Sequence, residues 1–162
     1  NYSYFIEPKS INIYKAIKNS DKINIEKTGV LNLTQKTQIL NIGDFCNECG
    51  NCTTFCPTNG KPFKDKPKFY LTEKSFNEVE NGFMLNNLQN NTVLLHKTNY
   101  TISSLSLKEN NFIYESKNVK ATFSKENFDL KKVEFLNENI NEFEFTKAAK
   151  MFVLFYAAGN LY

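Results

Sequence analysis

The run Cys46-Asn47-Glu48-Cys49-Gly50-Asn51-Cys52-Thr53-Thr54-Phe55-Cys56-Pro57 gathers four thiols into one short stretch, spaced C-x2-C-x2-C-x3-C-P. Thiolates are soft ligands, and this spacing is that of the ligand run of bacterial-type iron–sulfur ferredoxins. Two residues between cysteines let a tightly curled backbone aim successive thiolates at neighbouring corners of one cubane, with its amides turned toward the sulfurs. Gly50 stands where the backbone must come closest, and glycine tolerates positive φ there. Pro57 fixes its own φ and brings no N–H, so the chain leaves the loop in a defined, non-helical direction. The chemistry expected is a [4Fe–4S] cluster held by Cys46, Cys49, Cys52 and Cys56.

Other uses of four cysteines fit less well. Zinc sites draw their ligands from two C-x2-C knuckles a dozen or more residues apart, whereas Cys49 and Cys52 here are themselves only two residues apart. Disulfide scaffolds spread their cysteines along the chain, and buried structural thiols do not cluster in this way. Within the iron–sulfur reading, the fourth cysteine of such a run ligates a second cluster in two-cluster ferredoxins. This chain has no second run. Cys56 therefore either closes the same cluster or serves a cluster held elsewhere, and the first is expected.

The remaining composition narrows the class. At 162 residues, with 41% hydrophobic and 23% charged residues, the chain can bury one core or a core with a small module. The formal charge is +3 with neutral thiols, and a thiolate-bound cluster brings it to about +1. That balance gives little reason to expect nucleic-acid binding. All four cysteines sit in the one motif, as expected of a reducing compartment, and no apolar run approaches membrane length or resembles a signal peptide. A cytoplasmic protein with no membrane partner is expected. The chain opens on Asn1, which trimming or excision from a longer polypeptide would explain.

From Asp44 to Pro57, followed by Asn59-Gly60-Lys61-Pro62-Phe63-Lys64-Asp65-Lys66, the wording resembles the ferredoxin-type segment near the C-terminus of the putative selenate reductase subunit family. That family is similar to the small subunit of glutamate synthase and to dihydropyrimidine dehydrogenase. The resemblance is specific over residues 44–72 and fades on both sides. It implies upstream flavin and pyridine-nucleotide domains in a parent chain, or a redox partner, with the cluster relaying electrons. The positions matching the family's cluster ligands are Cys46, Cys49, Cys52 and Cys56. No Gly-x-Gly-x-x-Gly occurs, so binding of flavin or NADPH by this chain itself has no support.

The elements around the loop must position it. Residues 10–19 place Ile13, Tyr14 and Ile17 at helical spacing behind a Ser10 cap, which predicts a short helix. Residues 22–26, 30–33 and 38–42 alternate as strands. Phe45 and Phe55 are candidates for the apolar cover of the cluster, and Glu48 is expected to face solvent. Lys61, Lys64, Lys66 and Lys68 form a basic run that either compensates cluster charge, docks an acidic partner, or is simply a solvated loop.

Past Lys68 short strands follow one another, with Val119, Ala121 and Phe123 alternating against Lys120, Thr122 and Ser124, and asparagine-rich turns predict an antiparallel meander. His96, the only histidine, reads as a surface or packing residue. Asn141 and Glu144 resemble a capping pair before a C-terminal helix whose Met151 to Ala158 stretch is apolar nearly all round, with Gly159 as its stop.

The sequence thus predicts an α+β protein: a ferredoxin-like cluster segment over residues 1–68 and a β-meander with a C-terminal helix over 69–162. Electron transfer within a larger oxidoreductase is the expected function. No acid, base or nucleophile constellation is visible, so no turnover is expected from this chain alone. The rival is a structural, cluster- or metal-stapled docking module. A nucleic-acid module built on lysines and aromatics is the weakest alternative.

Overall fold

A computed structural model describes residues 1–55, 60–88 and 91–159, without the side chains of Phe55 and Leu88. Cys56 and Pro57 lie outside the described residues. Two antiparallel-rich sheets enclose one long helix. The larger sheet has nine strands in the order β1 (Tyr2–Phe5), β4 (Thr37–Ile42), β5 (Lys68–Phe69), β6 (Gly82–Leu88), β7 (Asn91–Thr98), β8 (Thr101–Lys108), β9 (Asn111–Glu115), β10 (Val119–Ser124), β11 (Leu130–Phe135). From β6 onward each strand pairs antiparallel with the next, while the two-residue β5 runs parallel to both its neighbours. The smaller sheet has the order β12 (Glu142–Glu144), β2 (Lys9–Asn19), β3 (Lys22–Leu33).

Residues 9–19 form strand β2, not the helix expected over 10–19. The register with β3 shifts between Ile13 and Tyr14, leaving Thr28 unpaired in the ladder. The extra residue belongs to β3, and along β2 the fully buried residues Ile11 and Ala16 fall five apart. That spacing, with Ile13, Tyr14 and Ile17 also apolar, mimics a helix.

The helix α4 (Thr146–Ala158) lies between the sheets, packed on β2 from one and on β7 and β8 from the other. Ala148, Met151, Phe152, Leu154, Phe155 and Ala158 are all buried. Burial on several sides explains why this stretch is apolar all round instead of carrying one stripe. The expected Asn141–Glu144 cap does not form. Glu142 to Glu144 pairs with β2 instead, and Thr146 donates to the Glu144 carboxylate. Phe112 on β9 meets Phe152 and Phe155 edge to face at 5.2 and 5.1 Å, and Phe123 on β10 stacks on Phe128 at 4.1 Å. The inward alternation of Val119, Ala121 and Phe123 supplies the sheet's side of this contact. One buried cluster runs from Tyr4 to Ala158 and takes residues from both sides of position 68.

Candidate functional site: the cysteine loop

The loop hangs from the end of β4. Gly43–Phe45 makes a single 3-10 turn, closed by Cys46 N–H donating to the Gly43 carbonyl at 3.1 Å. The Asp44 carboxylate accepts from the Leu71 backbone N–H at 2.8 Å, tying the turn to the segment after β5. Between them lies Tyr70, buried against glycines on both ring edges. A Cβ on Gly43 would stand 2.4 Å from its ring, and one on Gly82 would stand 2.5 Å from the opposite edge. The ring therefore fixes where the chain enters the cysteine run. Gly43→Ala is expected to displace Tyr70 and cost about 1–3 kcal/mol, by the usual penalty of overpacking. A urea titration against native protein checks this, and an unchanged midpoint would show that the ring can move freely.

Beyond Cys46 the backbone curls. The Asn47 side chain accepts from Cys49 N–H at 3.3 Å, and Glu48 and Gly50 take φ of 55° and 80°. Positive φ at Gly50 is the conformation its place in the run demands, and it leads into the short helix α1 (Asn51–Phe55) that carries Cys52. A second short helix, α2 (Pro62–Asp65), packs on both α1 and β4 and brings Phe63 over the loop.

Cys46, Cys49 and Cys52 line one cavity of about 150 Å³, walled also by Ile42, Asn41 and Phe63. Cys46 and Cys52 are half-buried and Cys49 is exposed. Among the described residues, no three His, Cys, Asp or Glu side chains are gathered as a metal-binding group. The donor set suits an iron–sulfur cluster in kind: soft thiols from one curled loop that line one partly apolar cavity. Cys56, the fourth expected ligand, lies outside the described residues.

The apolar lining includes Phe45, one of the two residues expected as cover, together with Phe63 and Ile42. Phe45 is 81% exposed, whereas Phe63 and Ile42 are half-buried. The side chain of Phe55 lies outside the described residues. Phe63 could have been suspected from its place soon after the run, but its approach depends on how α2 folds back. Asn41, 2% exposed, carries no signal in the sequence: its Nδ2 donates to the Asn1 side chain at 3.0 Å and its Oδ1 has no partner among the described residues.

Glu48 is exposed, as expected, and pairs with Lys68. Burial alone would lower the Lys68 pKa, but the hydrogen bond and charge of Glu48, together with Tyr70 and the nearby Cys46, raise it on balance. Lys68 is thus a firmly charged cation beside the first thiol. Lys61 and Lys64 are exposed and Lys66 is half-buried.

A groove of about 790 Å³ adjoins the loop, sharing Glu48 and Phe63 with the cavity and reaching His96. The His96 ring stacks on Phe83 at 4.0 Å, and its Nε2 meets the Thr98 hydroxyl at 3.2 Å. It does not line the cysteine cavity. Burial, helped by the charges of Lys147 and Lys150, pushes its pKa down to about 4. An unfolded chain takes up this proton near pH 6.5, so folding stability should fall as pH drops from about 6.5 to about 4. His96→Phe keeps the stacked ring and should flatten that part of a stability-against-pH curve. An unchanged slope would contradict the burial.

Among known proteins, 49 residues of this chain are 47% identical to a stretch of the protein named "Putative oxidoreductase YgfK" in Escherichia coli strain K12, and to its counterpart in O157:H7. The aligned stretch is 30% of this chain and 5% of each relative. No protein family and no solved structure matches the chain. A short part of this protein is therefore similar to a small piece of a much longer, oxidoreductase-named chain.

Proposed function

We propose that this chain carries a [4Fe–4S] cluster on Cys46, Cys49, Cys52 and Cys56 and is an electron-transfer segment of a larger flavin- and iron–sulfur-containing oxidoreductase. The observation that carries the reading is the C-x2-C-x2-C-x3-C-P run, whose first three cysteines line a common cavity. The partial similarity to an oxidoreductase-named protein supports the same class. A selenate-reductase-like parent, with flavin and pyridine-nucleotide domains or a separate redox partner supplying the electrons, is the finer form of the proposal.

When bound, the cluster supplies reversible one-electron transfer. The chain's own part is to hold and shelter it. Gly43, Tyr70 and Gly82 fix the entry to the loop, and Gly50 supplies the left-handed turn between the second and third thiols. Phe63 and Ile42 limit water on one side, and Lys68 offsets negative charge beside Cys46.

An anaerobic iron and sulfide count, with EPR spectra before and after dithionite, tests this. About four irons per chain and a reversible reduced-state signal are expected. The anchoring of the loop to β4 and β6 through Tyr70 favours, as a second reading, a cluster or zinc acting as a structural staple of a docking module. A chain that takes zinc but no iron, or that unfolds on reduction, would establish that reading and end the first.

A further inference from the structure

Among the described residues, strand β3 ends the smaller sheet, paired on one side only, by β2. It is twelve residues long and residues 22–28 are exposed throughout, with Ile23 at 38% and Ile25 at 40%. A long edge without proline presents a row of backbone donors and acceptors to any strand that fits. The other edges among the described residues are less suited: β1 has four residues, β12 has three, and β11 sets Lys131 beside Lys132.

Residues 22–26 read Lys-Ile-Asn-Ile-Glu, which is self-complementary when run antiparallel to itself. A two-fold axis through Asn24, perpendicular to the sheet, keeps every side chain on its own face. Lys22 then lies opposite Glu26 of a second copy, Ile23 opposite Ile25, and Asn24 opposite Asn24, with the first two pairs repeated by symmetry. Opposite charges and β-branched residues facing across strands are favourable pairs. Neither Lys22 nor Glu26 forms an ion pair within the chain among the described residues. Lys15, which faces Glu26 across the ladder, is drawn to Glu142 at 2.8 Å.

We infer that the β3 edge is a homodimer interface. Two copies join antiparallel about Asn24, merging their small sheets into one continuous sheet of six strands with an isologous contact. The occupant of the edge is a second copy of this chain, chosen by the charge and apolar pattern of residues 22–26.

Sedimentation equilibrium of the whole chain, with reductant present so that thiols do not cross-link, tests the inference. The native chain should show a concentration-dependent dimer. Glu26→Lys sets lysine against Lys22 at both ends of the contact and should weaken the dimer by about tenfold or more. Adding Lys22→Glu restores both pairs in reversed sense and should return the dimer. A native chain that stays monomeric overturns the proposal. So does a dimer indifferent to Glu26→Lys while circular dichroism shows the fold intact, or a double variant that fails to recover it.

Discussion

Replacing Phe152 by alanine is expected to cost about 3–5 kcal/mol of folding stability, the range for removing a large aromatic from a packed core. Phe152 is 1% exposed on α4, stacks on Phe128 at 4.5 Å, and meets Phe112 edge to face at 5.2 Å. The ammonium of Lys9, on β2, lies 4.7 Å from the ring centre on the side of the smaller sheet. The ring therefore joins both sheets, and the space it leaves cannot close without moving one of them. Against a total stability of about 5–15 kcal/mol for an ordinary domain, this loss leaves little margin. A urea titration followed by circular dichroism measures it, with Phe152→Leu as a milder control. A cost below about 1 kcal/mol would mean that α4 is not the centre of the core.

Serine in place of Cys46 or Cys52 should abolish most iron loading under the proposed function. A hydroxyl is a harder and far less acidic donor than a thiol, so the variant loses a ligand instead of exchanging one. Iron should fall from about four per chain to well under one, with loss of the reduced EPR signal. Cys49, the exposed member of the set, should behave in the same way if the loop closes around the cluster. Cys56→Ser separates the two roles considered for that residue. Loss of iron assigns it to the same cluster, and full loading assigns it to a cluster elsewhere. Full iron in the Cys46 or Cys52 variants would sink the proposal.

Local pattern carried much of the organisation. Residues 119–124 alternate because one face of β10 is buried, and Met151 to Ala158 is apolar all round because α4 is covered on several sides. The special backbone of Gly50 followed from its place between two closely spaced cysteines. Such features are legible because each element records its own burial in its own periodicity. Strand β2 was not, since its apolar residues do not alternate and its two fully buried ones, Ile11 and Ala16, fall five apart. The short helices α1 and α2 were also missed, being too brief to show a helical period, as was α3 (Glu73–Glu78), where Thr72 accepts from Ser75 N–H at the start of the helix.

By itself the sequence determined the cysteine run and its spacing, the solvent-facing place of Glu48, and the apolar character of the last helix. Only the tertiary structure decided that Tyr70 is clasped between Gly43 and Gly82, that Phe63 joins Phe45 in lining the cysteine cavity, and that one buried cluster spans both sides of position 68. The reason is physical. Spacing along the chain encodes which neighbours share a face, but a ring wedged between glycines far apart in sequence exists only once β4 and β6 have been brought to either side of β5.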